Sequence, residues 1–249
     1  MEVHHHARHE KKNWKSYFWE FLMLFLAVTL GFFVENQREH LVEHRREKEY
    51  MISMLEDLTA DTMMISSRIR FATSLVNGLD SLQKNLYSDS VLNKANAVYR
   101  QFATYIRIII TPFSDQTATQ LRSSGNLRLI RNREIVNAIS VYWNAINTIM
   151  MTKELQDHSF DEIWESAYEI LNRKYVSKSI RDSITGLDIF TIAPDAKFMT
   201  TDKTRFVGLA NRINRTIRNI EVFYIPNMKT QKTKAINLIL MIKEQYHLK

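Results

Sequence analysis

Residues 16–37 read SYFWEFLMLFLAVTLGFFVENQ, and up to residue 34 the only charged side chain in this stretch is Glu20. At 1.5 Å rise per residue, about nineteen helical residues span a hydrocarbon core of ~30 Å. Trp14, Tyr17 and Trp19 lie at one end, as an aromatic belt does, and lysines at positions 11, 12 and 15 flank them. The stretch therefore predicts one transmembrane helix over residues 16–34.

The segment after the apolar core has no small-x-small cleavage site, so we expect the anchor to stay attached. Lys and Arg occur four times in residues 1–15 and four times in residues 35–50, so the positive-inside count does not decide the orientation. A short tail followed by a long translocated domain is the usual arrangement. It predicts that residues 1–15, a His- and Lys-rich tail, are cytoplasmic.

Behind the anchor, five glycines and three prolines in 249 residues predict long helices with few turns. Nothing breaks the helix before Asn77-Gly78, so the anchor is expected to continue as a stalk helix over residues 35–78. Apolar positions three and four residues apart, typical of a coiled coil or an antiparallel bundle, are Met51, Leu55, Leu58, Thr62, Ile65, Ile69, Ala72, Val76 and Leu79.

The region after the stalk predicts a helix from 91 to about 109 that Pro112 ends. A short helix follows, with Ser114 as its N-cap and Gly125 as the left-handed residue at its end.

A helix of more than forty residues is then expected from Asn132, followed by a loop with a short strand over 184–203. The last helix is expected to start near Thr204 and to bend around Pro226. The fold class is therefore all-α: a transmembrane helix, a stalk, and an elongated helical bundle over residues 79–249.

The amino-acid composition excludes several classes of functional site. The absence of cysteine excludes disulfides, thiolate zinc sites and cysteine nucleophiles. A net charge of +7 favours anionic surroundings such as headgroups, anionic polysaccharide or nucleic acid, without choosing between them. No glycine-rich phosphate loop, nucleophile elbow or paired-carboxylate motif occurs, so the sequence predicts neither an enzyme nor a cofactor.

Two histidine patterns could hold a metal. The first is an imidazole-dense tail, formed by His4, His5, His6 and His9. The second is His40-Leu41-Val42-Glu43-His44, which matches the inverted zinc-protease motif HxxEH, in which Glu acts as the base. The alternatives are a tail without metal function and a solvated helix face, and both are favoured because no pocket or third ligand is evident.

Within the anchor, Glu20 lies about one turn inside the apolar stretch, where a carboxylate is costly in hydrocarbon. One interpretation is that it sits near the interface and pairs with Lys15 or a neighbouring subunit. The other is a functional intramembrane acid in an oligomer, with Thr29 and Gly31 marking a tightly packed face.

The final helix carries a basic stripe that could bind an anionic polymer, formed by Arg205, Arg212, Arg215 and Arg218. A solvated face is the simpler interpretation. Nucleic acid is disfavoured because the stripe lacks aromatic stacking positions. Four aromatic residues at helical spacings are interpreted as core rather than as a ligand cage: Tyr142, Trp143, Trp164 and Tyr168.

Three stretches are similar to a known family: HHHARHEKKNWKSYFWEFLMLFLAVTLGFFVENQREH, REKEYMISMLEDLTADT and LRSSGNLRLIRNREIVNAISVYW. Together they resemble uncharacterised single-span proteins of Bacteroidota-type Gram-negative bacteria, over about the first 140 residues. The resemblance implies an inner-membrane protein with a periplasmic helical domain. It implies no activity, cofactor or catalytic residue.

These observations favour a non-enzymatic envelope protein, either a homo-oligomer or an accessory subunit that binds another envelope protein and contacts membrane lipid. One alternative is an oligomeric channel or transport component with its anchors gathered around Glu20. Another is metal sensing through the histidine tail and the HxxEH turn.

Overall fold

The computed structural model describes residues 13–183 and 187–248. The chain divides into two compact units, Met1–Glu49 and Tyr50–Lys249. The elements are α1 Trp14–Tyr87, a 3-10 turn Val91–Lys94, α2 Ala95–Tyr105, α3 Gln116–Ser123, a 3-10 turn Asn126–Leu129, α4 Arg133–Tyr168, a 3-10 turn Arg173–Tyr175, β1 Val176–Arg181, β2 Asp188–Ile192, α5 Lys203–Asn219, a π-helical turn Ile220–Tyr224 and α6 Ile225–Tyr246. Helices dominate, which confirms the all-α prediction.

The first unit contains the predicted anchor. One helix in the described residues, α1, has a segment long and apolar enough to cross a membrane, and none of that segment is buried by protein. Large apolar side chains along it are exposed, among them Leu24, Phe25 and Phe32.

Helix α1 does not end at Asn77-Gly78 as expected; it continues to Tyr87. Gly78 allows close packing between helices and does not end α1. A Cβ atom built on it would lie 2.2 Å from Cδ1 of the Tyr105 ring, so glycine is present because α2 approaches the backbone of α1 too closely for any side chain.

The second unit has two hydrophobic clusters. The larger cluster joins the part of α1 from Ile65 onwards to α2, the end of α4, the strands and α5. The smaller cluster joins the part of α1 between Met51 and Leu58 to α3, the first half of α4 and α6. The predicted apolar stripe of α1 provides much of both: its buried members are Met51, Leu58, Ile65, Ala72, Val76 and Leu79. The stripe is therefore covered by the chain's own helices.

The region between α1 and α4 differs in detail from expectation. The predicted helix over 91–109 is a 3-10 turn followed by α2, which ends at Tyr105, seven residues before Pro112. Ser114 does not cap α3, because the N-cap is Asp115 and its side chain makes no capping bond. Gly125 does take the left-handed conformation, with φ of 67°.

Helix α4 begins as predicted, with the side-chain Oδ1 of Asn132 accepting from two backbone N–H groups of the first turn. It ends at Tyr168, earlier than expected, and the chain then forms an antiparallel hairpin. The expected strand is β2, but its partner β1 precedes the predicted loop. At the other end, Pro226 cannot donate to the carbonyl four residues before it, and the π-helical turn lies at this break between α5 and α6.

Candidate functional site

A cavity of about 260 Å³ opens in the second unit where α2, the end of α4 and the hairpin meet. Its walls are mainly aromatic, formed by Tyr99, Phe102, Trp164, Tyr168 and Phe190. Small and aliphatic residues complete the floor, including Ala103 on α2. We call this cavity the aromatic pocket.

The rings of the pocket hold one another in defined orientations. Phe102 meets Trp164 edge to face, with ring centroids 5.0 Å apart and planes at 88°. Trp164 in turn contacts Tyr168 at 5.8 Å between centroids. Tyr168 is 55% exposed, so the prediction that it belongs to the core is wrong; it forms an open wall of the pocket.

The deepest ring, Tyr99, is fixed by its hydroxyl group. The hydroxyl donates to the carbonyl of Lys197 at 3.0 Å and accepts from the backbone N–H of Asn172 at 2.7 Å. Burial raises the pKa of Tyr99 above its usual range, so the hydroxyl stays protonated and can donate. The floor of the pocket is thereby tied to the two segments that flank the hairpin.

Two guanidinium groups line the pocket and differ in their surroundings. Arg107 donates to the carboxylate of Asp188 at 2.9 Å and lies over the ring of Phe190, 5.7 Å from its centroid. Arg173 is exposed, and its side chain has no hydrogen-bond or ion-pair partner among the side chains that the structure describes, which leave out those of residues 151–157 and 178. One cation is therefore neutralised within the fold and the other is available.

A second constellation is a buried acid. Asp61 is 1% exposed, and its carboxylate accepts from the hydroxyl of Tyr142 at 2.6 Å and from the backbone N–H of Ser114 at 2.7 Å. Asp57, one turn earlier, accepts from the backbone N–H of Thr117 at 3.1 Å. The two carboxylates of α1 therefore bind N–H groups at the start of α3, the role that the sequence had suggested for Ser114.

Burial raises the pKa of Asp61 above its ordinary value of 3.8, although the hydrogen bonds from Tyr142 and Ser114 oppose this shift. A raised pKa means that the folded state binds the proton more tightly than the unfolded chain does. The resulting stability is complete at acidic pH and is lost as the pH rises through the folded-state pKa. Tyr142 also has a pKa raised by burial and by the adjacent carboxylate. We interpret this cluster as structural, because its atoms join α1, α3 and α4 inside the smaller core.

The metal hypotheses gain no geometric support. His4, His5, His6 and His9 lie outside the described residues. His40 Nδ1 is 3.9 Å from Glu43, and His44 Nδ1 is 3.2 Å from Glu47. Each imidazole of the HxxEH motif thus faces a glutamate of its own helix, and no group of three possible ligand side chains occurs in the part of the chain that the structure describes.

The basic stripe of α5 is partly neutralised by acids at the end of α4 and directly after it. Arg205 lies 3.2 Å from Glu169, and Arg215 forms an ion pair with Glu162. The other two arginines of the stripe, Arg212 and Arg218, are exposed, and the Arg212 guanidinium donates to a carbonyl of its own helix. An anionic partner would meet a weaker positive surface than the sequence suggested.

The polar residues predicted within the anchor are exposed on α1. Glu20 is exposed. Thr29 donates from its hydroxyl to the carbonyl of Phe25 at 2.7 Å, so its polar group is satisfied by its own helix. Gly31 has nothing within 4 Å of the position of a Cβ atom.

Sequence reasoning did not identify the aromatic pocket or the buried carboxylates. The spacing of Trp164 and Tyr168 was seen, but a helical spacing does not distinguish a wall from a core. Asp57 and Asp61 are one turn apart on α1, and such a pair also occurs on any solvated helix face.

The chain matches no protein-family model, and no curated protein or solved structure shows significant similarity to it.

Proposed function

We propose that this chain is a non-enzymatic, single-pass protein of a bacterial inner membrane, with residues 1–15 in the cytoplasm, residues 16–34 in the bilayer and a helical domain in the periplasm. The observation that carries the proposal is the unburied apolar segment of α1. Each large apolar side chain left in water costs about 1.5–3 kcal/mol relative to burial, and this segment has one at most positions. A bilayer removes that cost.

The resemblance to single-span envelope proteins supports the same placement. We further propose that the protein acts as a homo-oligomer or as an accessory subunit of an envelope complex. The apolar stripe of α1 no longer favours self-association, because the chain's own helices bury it. Contact between anchors is supported by the position of Glu20 inside the apolar stretch, because acidic residues within membrane spans usually face a helix bundle or a water-filled cavity.

The first test is membrane retention. The full chain should stay in the pellet after alkaline extraction of membranes. A variant with Leu24→Arg and Phe25→Arg should be released, because each arginine at the middle of a span costs about 2.5–3.5 kcal/mol. The matched control is Leu41→Arg, which adds a charge at an exposed position of the same helix outside the segment. Wild-type protein in the soluble fraction would refute the anchor.

Orientation and assembly need two further measurements. In cells whose outer membrane has been permeabilised, added protease should digest the domain that begins at Tyr50; protection would reverse the proposed topology. The mass of the native complex, extracted with its lipid, should exceed that of one chain, and Glu20→Gln should lower it. A monomer in both cases would refute assembly through the anchors.

A further inference from the structure

The aromatic pocket is large enough for a small ligand and keeps an open side. Its volume is about 260 Å³. A cavity of about 150 Å³ holds one benzene molecule, so this pocket can take a bicyclic aromatic group. The exposed ring of Tyr168 and the partly buried ring of Trp164 stand at its entrance, where a planar ligand could stack on them.

The charged residues around the pocket determine which ligand charge it favours. The positive charge of Arg107 is balanced by Asp188 inside the fold. Arg173 has no such acid among the side chains that the structure describes, and Arg181, on the neighbouring strand, already shares Asp188 at 3.7 Å. The pocket therefore lacks one negative charge, and a guanidinium binds a carboxylate through two parallel N–H donors.

We propose that the aromatic pocket binds a small planar aromatic carboxylate, with its ring stacked against Trp164 and Tyr168 and its carboxylate on Arg173. A phosphate monoester fits less well, because it carries close to two charges and only one guanidinium is free to meet it. An aliphatic acid fits less well because the walls offer ring faces rather than a channel. This binding activity goes beyond membrane anchoring and does not depend on it.

The test uses the full chain in lipid nanodiscs, titrated by calorimetry with 2-naphthoate, and empty nanodiscs measure partition of the probe into lipid. The ligand efficiency typical of drug-sized ligands, applied to about thirteen non-hydrogen atoms, gives an expected Kd of about 1 mM. The uncharged 2-naphthamide, which keeps the ring and loses the charge, should bind about five- to tenfold more weakly.

Variants then locate the ligand. Arg173→Gln should weaken binding of 2-naphthoate about five- to tenfold and leave 2-naphthamide unchanged. The matched control is Lys174→Gln: its ammonium group lies over the ring of Tyr175 at 4.9 Å, outside the pocket, so 2-naphthoate should bind within about twofold of wild type. Ala103→Leu fills the floor and should remove binding of both probes.

Several results would overturn the proposal. One is the absence of 2-naphthoate binding to the wild-type chain above that of empty nanodiscs. Another is equal affinity for the acid and the amide, which would remove the role of charge. Equal losses from Arg173→Gln and Lys174→Gln would show that only the general positive field attracts the acid. Unchanged binding in Ala103→Leu would place the ligand elsewhere.

Discussion

Gly78 offers the sharpest test of how the second unit is packed. A methyl group at this position would lie 2.2–2.4 Å from three carbons of the Tyr105 ring, one of which is Cγ. Because Cγ lies on the axis of the Cβ–Cγ bond, rotation of the ring about that bond cannot relieve the clash. The ring must move by about 1.5 Å to restore an ordinary carbon–carbon contact, and Tyr105 is the last residue of α2.

Two opposing effects determine the result of Gly78→Ala. Alanine inside a helix is favoured over glycine by about 0.5–1 kcal/mol. Overpacking of a well-packed site costs about 1–3 kcal/mol. Since the clash involves the root of the ring, we expect overpacking to win, with a net loss of ~1–2 kcal/mol in the free energy of unfolding. Gly208→Ala on α5 is the control, because its methyl would meet only the flexible end of Arg212 at 3.5 Å and should stabilise the protein.

The assay is denaturant unfolding of the full chain in mild detergent, followed by circular dichroism. A double variant, Gly78→Ala with Tyr105→Ala, removes both partners of the clash, so its loss should be smaller than the sum of the two single losses by about 1 kcal/mol or more. The reasoning fails if Gly78→Ala stabilises the protein as Gly208→Ala does, or if the two substitutions are simply additive.

Three further substitutions test the buried acid, a helix cap and the basic stripe. Asp61→Asn should lower the free energy of unfolding most at acidic pH and progressively less towards neutral pH. The reason is that burial raises the pKa of the wild-type carboxyl, which loses its stabilising contribution as it ionises. Unfolding measured at pH values from about 3 to 8 tests this, and a loss of stability that grows with pH would contradict it. Asn132→Ala should lower the free energy of unfolding by about 1 kcal/mol, because two N–H groups of α4 lose their acceptor; a change near zero would show that water replaces the cap. Arg215→Gln should cost less than about 1 kcal/mol, yet more than Arg218→Gln, because Arg215 pairs with Glu162 whereas Arg218 has no acidic partner among the described side chains; equal losses would show that this ion pair adds nothing.

Much of the helical architecture could be predicted because its causes are local. A charge-poor stretch of membrane length, an asparagine before an apolar repeat and a glycine after a short helix each act within a few residues. Gly78 shows the limit of such reasoning. Glycine in a helical pattern suggests an end, but here its cause is the ring of Tyr105, twenty-seven residues later in the chain.

The same limit applies to the buried carboxylates. Asp61 is indistinguishable by spacing from a solvated acid, and only the position of α3 turns it into an acceptor for Ser114. Its second partner, Tyr142, is eighty-one residues away. A pattern that depends on residues this far apart has no signature within one helix, so sequence periodicity alone could not predict it.

The ion pairing of the arginines, which gives the aromatic pocket its charge, could not be predicted from the sequence. The formal charge of +7 does not distinguish cations that have an acidic partner from those that have none. The sequence predicted an anion-binding surface at the four arginines of α5, because they recur along one helix. In the fold, two of those four meet acids: Glu162 on α4, and Glu169, which directly follows that helix. Arg173 belongs to no helical stripe of cations and offered no pattern, yet it lines an aromatic cavity and has no acidic partner among the side chains that the structure describes. A binding site for an anion depends on which cation the fold leaves uncompensated, and that is a property of the packed helices rather than of composition.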